Sequence, residues 1–303
     1  MGGTLLTIGE CMVELKQADG GLLHKGYAGD TFNTAYYARA CLPPDWTAAY
    51  ASVVGQDRVS DDMLAFMAET GVDTRFIRRN AERTVGLYMI HLDRGERSFS
   101  YWRSHSAART LADDADALGQ AMDAADVVLF SGVTLAILPP EGVDTLLALA
   151  ARAKASGKLV AFDPNIRPRL WADPQTMRDT ISRGAQAASM VLPSFDDETT
   201  HFGDANIEAT VTRYRTLGVR DIVVKNGAAG VTLDFDGDRR FVPAVMDAAI
   251  VDTTSAGDSF NGAFLAHYIQ HQNAPEAAAY AARLAAAVIG HHGALVAIEK
   301  LGL

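Results

Sequence analysis

Short β-branched runs alternate with amphipathic helical stretches along most of this 303-residue chain. A sheet of mainly parallel strands covered by helices is the architecture that accommodates this order. The strand candidates are LLTIG (5–9), VVLFSG (127–132), KLVAFD (158–163), MVLP (190–193), DIVVK (221–225) and GVTLDF (230–235). Helical spacing marks 31–42, 57–70, 141–156, 175–188, 206–217, 257–271 and 275–290, with Asp30 suited to cap the first and Gly71 to stop the second. No linker or fixed-period repeat interrupts the series, so one α/β domain over 1–303 is expected.

One segment departs from the alternation. VGLYMIHLDRGERSFSYWRS (85–104) reads as two alternating strands around Arg94-Gly95, a hairpin rather than a βα unit. Pairing Asp93 with Glu96 sets Tyr88 opposite Tyr101 and Arg103 opposite Gly86. Pleating then puts Tyr88, Ile90, Phe99, Tyr101 and Arg103 on one face. That half-aromatic face, with a cation at its end, suits two roles: packing over a core edge, or lining a lid that meets a polyhydroxylated or anionic ligand.

Composition narrows the function. With 27 basic and 37 acidic residues the formal charge is −10, so the global basic footprint of a nucleic-acid binder is missing. An anionic ligand must be met locally, by a few placed cations and backbone amides. The two cysteines, Cys11 and Cys41, form no CxxC pair, which excludes a thiol-rich zinc site and points to a reducing compartment. No apolar run reaches membrane-spanning length and no signal peptide is legible, so a cytoplasmic protein with neither membrane nor nucleic-acid partner is expected.

Three stretches carry chemistry. In IVDTTSAGDSFNG (250–262), small residues at 255–257 precede an amphipathic run. A helix start exposes unpaired amides and a positive dipole end, and small side chains let an anion approach them. Asp258 cannot itself ligate a phosphate. It either complements the dipole or accepts a proton from a hydroxyl that attacks phosphorus. In VVKNGAAG (223–230), a strand ends at Lys225, with Gly227 and Gly230 following. This is neither a Walker A nor a dinucleotide motif, and it suits a hairpin turn or a cover over a nucleotide's phosphates. In AGDTFNTAYYARA (28–40), Gly29 permits close backbone approach, while Asp30 and Asn33 share the face of a starting helix. They either cap that helix or hold the hydroxyls of a sugar.

Together these stretches resemble the PfkB family of carbohydrate kinases, whose fold is ribokinase-like. DTTSAGDSFNG (252–262) is similar to the family's C-terminal signature, and GYAGDTFNTAYYAR (26–39) to its N-terminal glycine motif. IGECMVEL (8–15), SYWRSHSAAR (100–109), LFSGVTLAIL (129–138), FDPNIRPRLW (162–171) and HHGAL (291–295) resemble the members that phosphorylate 2-keto-3-deoxygluconate.

The resemblance implies a three-layer sandwich with a mainly parallel central sheet and a small β-sheet lid drawn from about 12–28 and 84–110. It implies ATP and Mg²⁺ as cofactors, with a monovalent cation near Asp252 left open; separately, the exposed edge of a hairpin lid can pair with another copy, so a homo-oligomer formed through the lid is expected. Asp258 is then the general base, and the amides of Ala256 and Gly257 the anion hole. Gly29, Asp30 and Asn33 hold the sugar from the core, and Tyr88, Tyr101 and Arg103 from the lid. Arg167 binds a carboxylate or phosphate, and Ser194, Lys225, Gly227 and Gly230 line the ATP site with Ala256 and Gly257.

Two departures stand out. Thr254-Ser255 occupies a place where the family often carries glycine. The family's N-x-x-E, which organises Mg²⁺, appears as SFDD (194–197) followed by Glu198, so Asp197 and Glu198 are alternatives for that role. Arg103 and Arg167 favour a sugar acid, because guanidinium matches a carboxylate with paired donors. Kinases of the galactonate epimer, fructose or ribose, and a non-catalytic sugar-acid sensor, are the alternatives.

Overall fold

The computed structural model describes residues 2–93, 96–245 and 250–302. In chain order the elements are β1 (Thr4–Ile8), β2 (Met12–Gln17), β3 (Leu23–Ala28), α1 (Asp30–Cys41), β4 (Thr47–Val54), α2 (Arg58–Glu69), β5 (Asp73–Arg79), β6 (Leu87–Asp93) and β7 (Glu96–Trp102). Next come α3 (Ala115–Asp123), β8 (Val127–Ser131), α4 (Gly132–Ile137), α5 (Pro140–Ala155), β9 (Leu159–Asp163), α6 (Pro174–Ala187), β10 (Met190–Val191), α7 (Phe195–Phe202) and α8 (Ile207–Thr216). The chain closes with β11 (Asp221–Lys225), β12 (Val231–Phe235), β13 (Asp238–Val242), α9 (Ala256–His271) and α10 (Ala274–Ile289).

Nine strands form one sheet in the order β13-β12-β11-β10-β9-β8-β1-β4-β5. All neighbours pair in parallel except β12 with β11 and with β13. Successive side chains of a strand point to opposite faces, and both faces here are covered. Leu6 of β1 and Val128 and Phe130 of β8 enter one core with residues of α3, α5, α6 and α8. Their neighbours Leu5, Val127 and Leu129 enter a second core with residues of α1, α9 and α10. Burial on both sides explains why these strands read as continuous apolar runs rather than alternating ones. Helix starts are capped as their sequences require: Asp173 accepts from the amides of Gln175 and Thr176, Asn206 from Ala209, and Asn273 from Glu276. The α1 and α9 helices pack closely at Gly262, where a methyl would lie 2.5 Å from the Thr34 carbonyl oxygen. Among the described residues no helix is long and apolar enough to cross a membrane.

A second sheet, in the order β3-β2-β6-β7, grows from the β1–β2 junction. Its β6–β7 hairpin has the register expected from pleating, with Asp93 opposite Glu96 and Tyr88 opposite Tyr101. The turn at Arg94-Gly95 lies outside the described residues. The Phe99 and Tyr101 rings stack at 6.1 Å, with Tyr88 5.9 Å from Tyr101.

The structure corrects the sequence reading in places. The cap of α1 is Gly29, and Asp30 already lies in the helix, so its carboxylate is released from capping. The MVLP strand ends at Val191, ahead of Pro193, which has no amide to donate. Strands β4, β5 and β13 escaped notice because they are partly exposed or rich in alanine and charge, and β2 and β3 were expected only as part of the lid over 12–28. The short α4 and α7 helices span too few turns for a legible period.

Candidate active site

The site gathers where parallel strands end and two helices begin, at the carboxyl edge of the sheet where α/β folds leave a crevice. Ser255 precedes α9 in the left-handed region, with φ 63°. A residue with a Cβ is disfavoured there by roughly 1–2 kcal/mol, which gives physical meaning to the family's frequent glycine at this turn. Ala256 and Gly257 then open the first turn, and Asp258 completes it.

Asn33 sits one turn into α1, and its Nδ2 donates to Asp258 Oδ2 at 2.8 Å. Its own Oδ1 accepts from the Gly29 amide at 3.3 Å, which fixes which end of the carboxamide faces the acid. Gly29 has no room for a side chain, since a methyl there would stand 2.0 Å from the Glu10 carbonyl oxygen. Asp30 Oδ2 accepts from Asn165 Nδ2 at 2.7 Å. Burial, and then the neighbouring charges of Asp30 and Asp163, push the Asp258 carboxyl up to about 7, against the opposing effects of Asn33 and Arg167. A carboxylate tuned to neutral pH suits an acceptor of a hydroxyl proton.

One turn further along α9, on the same face, Asn261 is buried and donates to Asp163 Oδ2 at 2.7 Å. It accepts from Lys225 Nζ at 3.0 Å, and that ammonium lies 3.5 Å from Asp163 Oδ1. Lys225 closes β11 and Asp163 closes β9, so two strand ends and one helix meet at this point. Ser194, at the start of α7, bridges to Lys225 through the backbone.

Asp197 and Glu198 part company in the structure. Glu198 is wholly buried, ion-paired with Arg213 and accepting from the Tyr214 hydroxyl at 2.8 Å; burial pushes its carboxyl up to about 7. Asp197 turns to the site, 3.9 Å from Arg167. Burial raises its carboxyl against the pull of Arg167, and the charge of Asp163 adds to the rise. Among the described residues no group of three or more histidine, cysteine or acidic side chains makes a ready-built metal cluster.

The expected residues do not all converge. Gly29, Asp30, Asn33, Ala256, Gly257, Asp258 and Lys225 form one contiguous surface, with Arg167 close enough to act on the charge of Asp258. Gly227 and Gly230 lie in the turn between β11 and β12, both with positive φ. Tyr88 is buried on the small sheet and donates its hydroxyl to Glu14, whereas Tyr101 is half exposed. From the sequence, Arg103 is expected to be a charge awaiting a ligand. The structure instead pairs it with buried Glu10, so its charge is already met inside the protein, and Arg167 is the more exposed cation at 57% of its side chain. Asp163, Asn165, Asn261 and Glu10 were missed. The position of Asn261, three residues after Asp258 on a helix, is the one signal that points to it in advance.

Comparison with known proteins identifies the family and the fold. The pattern of the pfkB family carbohydrate kinases matches residues 4–301. The chain is 35% identical over 301 residues to the 2-dehydro-3-deoxygluconokinase of Dickeya dadantii, covering 97% of each protein. The fold is ribokinase-like. A PfkB protein from Polaromonas sp. JS666 superposes with a TM-score of 0.84 at 28% identity, over 99% of both chains. A putative ribokinase II from E. coli, solved with ATP and Mg²⁺, does so at 0.85 and 23% identity, over 99% and 98%. With the family pattern spanning nearly every residue, the chain belongs to the pfkB family of carbohydrate kinases.

Proposed function

We propose that the protein transfers the γ-phosphoryl group of MgATP to the primary hydroxyl of 2-keto-3-deoxygluconate, the compound also called 2-dehydro-3-deoxygluconate. One observation carries the chemistry: Asp258 stands in the first turn of α9, held by Asn33, with its carboxyl pushed up to about 7 at the positive end of the helix.

The sugar hydroxyl gives its proton to Asp258 as its oxygen bonds to phosphorus. The bond from phosphorus to the ADP oxygen breaks, and the electron pair leaves with ADP. Asn33, fixed by the Gly29 amide, keeps the carboxylate aimed, while Asp30 and Asn165 stand beside it as an acceptor and a donor for further hydroxyls. The amides of Ala256 and Gly257 face the charge that develops on the phosphoryl oxygens. Asp197 is the carboxylate left to face the Mg²⁺ that ATP brings, since Glu198 is taken up by Arg213. That ion neutralises phosphate charge when bound. Gly227, Gly230 and Ser194 line the nucleotide side. Arg167 supplies the exposed cation for the substrate carboxylate.

The small sheet acts as the lid, with Tyr88, Tyr101 and Arg103 on its inner side, and excludes water as a competing acceptor. Its outer strands β3 and β7 each pair on one side only among the described residues, and Leu22, Leu23 and Trp102 are exposed along them. Such edges suit a second copy of the chain, so the protein is read as a homodimer joined through its lids. Light scattering is expected to give twice the chain mass, and a proline placed in β3 to halve it. A monomeric wild-type protein removes this reading. Two free cysteines, one buried and one partly so, accord with a cytoplasmic location.

The test of the substrate is ADP release with MgATP against 2-keto-3-deoxygluconate, its galactonate epimer, fructose and ribose. Turnover is expected for the keto-deoxy acids. A preference for fructose or ribose would leave the phosphoryl transfer standing and overturn the substrate.

A further inference from the structure

Lys225 entered the sequence reading as one of several residues lining the nucleotide. Its position is more particular than that. A methyl built on Gly257 would stand 3.7 Å from Lys225 Nζ, so the ammonium lies against the first turn of α9, one residue from Asp258. Its side chain is 13% exposed. A buried ammonium is unfavourable unless paired, and here Asn261 Oδ1 at 3.0 Å and Asp163 Oδ1 at 3.5 Å provide the pairing. Asn261 in turn donates to Asp163 Oδ2 at 2.7 Å, so its carboxamide has one possible orientation, with oxygen to the lysine and nitrogen to the acid. The three side chains close a ring across two strand ends and a helix. An ammonium carries three donors. One goes to Asn261, Asp163 pairs with the charge from 3.5 Å, and the contact with Gly257 sets the ammonium against the first turn of α9.

We propose that Lys225 is a catalytic residue that donates to the phosphoryl group in transit, and that Asn261 and Asp163 are the positioning residues that hold it there. This rests on the phosphoryl-transfer reading above and goes beyond it. The amides of a helix start offer only partial charge, and four carboxylates, Asp30, Asp163, Asp197 and Asp258, surround the place where an anion must pass. Lys225 supplies a full positive charge on the α9 side of the phosphoryl, and the ring keeps it from collapsing onto Asp258. A donor aimed at charge developing in the transition state acts on kcat rather than on ground-state binding of the nucleotide.

The experiment measures kcat, KM for ATP, MgADP affinity by calorimetry and thermal melting for Lys225→Met and Asn261→Asp. It uses whichever acceptor of the sugar panel the wild-type protein phosphorylates fastest, so a wrong substrate assignment shows in the panel and not here. Lys225→Met is expected to lower kcat by ~10²–10³ with MgADP affinity unchanged. Asn261→Asp keeps its size but replaces the donor to Asp163 with a second carboxylate, drawing the ammonium away from Gly257. It is expected to lower kcat about tenfold, with KM for ATP unchanged. Two results overturn the proposal. A kcat for Lys225→Met within about threefold of wild type means that the lysine is only structural, and MgADP affinity falling in step with kcat means that it holds the nucleotide instead.

Discussion

Asp258→Asn is expected to lower kcat by ~10²–10⁴, the usual contribution of a general base, while MgADP affinity stays unchanged. The substitution keeps the size of the side chain and a carbonyl oxygen that accepts from Asn33, so the architecture around it persists. What it removes is the ability to take the hydroxyl proton. Two pH effects follow from the same carboxyl. In the wild-type enzyme kcat/KM is expected to fall below about pH 7, because the base must be ionised to act and its carboxyl is pushed up to about 7. The asparagine variant should lack that acidic limb.

Stability runs the other way. The folded state holds the Asp258 proton up to about pH 7, whereas the unfolded chain releases it near the ordinary carboxylate value. The protonated acid's contribution is therefore fully present below ~pH 4 and is lost as pH rises through about 7. A neutral carboxamide in its place carries no charge to bury at high pH. Asp258→Asn is therefore expected to melt a few degrees above wild type at pH 8 and at nearly the same temperature at pH 4. Calorimetric melting at the two pH values checks the sign. A variant with wild-type turnover removes Asp258 as the base; one that melts lower at pH 8 shows the carboxylate to be stabilising there.

Arg167→Ala is expected to lower kcat/KM for 2-keto-3-deoxygluconate by ~10–100-fold, the range of a lost hydrogen bond between charged groups, and to change fructose turnover far less. Arg103 is neutralised by Glu10, whereas Arg167 is exposed, its guanidinium 3.9 Å from Asp197 and donating to the Ile166 carbonyl at 2.8 Å. Arg167→Lys keeps the charge but not the paired donors, so an intermediate loss is expected. Because Arg167 lowers the pKa of Asp258, its removal should also move the acidic limb of the pH profile upward. Steady-state kinetics with both sugars decides: equal losses for the acid and for fructose would mean that Arg167 serves the phosphates instead.

Legibility in the sequence followed physical range. The β6–β7 register was readable because a period of two and a short turn leave one pairing that puts the aromatic face together. The head of α9 was readable because anion approach demands small residues in consecutive positions. The strands of the small sheet nearest the N-terminus were not: β2 carries Glu14, Lys16 and Gln17, and β3 ends against glycine, so neither shows a clean apolar face. Glu198 against Asp197 was undecidable until α8 brought Arg213 and Tyr214 onto one of them.

By itself the sequence determined the alternation of strands and helices, the hairpin, and the helix start with its acid, since each arises among residues a few positions apart. Only the tertiary structure decided the partners. Asn33 meets Asp258 across 225 positions, Asn261 meets Asp163 across 98, and Arg103 meets Glu10 across 93. Periodicity and turn chemistry act between chain neighbours. Which charges neutralise one another, and which remain for a ligand, depends on which strand ends and helix starts the packed sheet brings together.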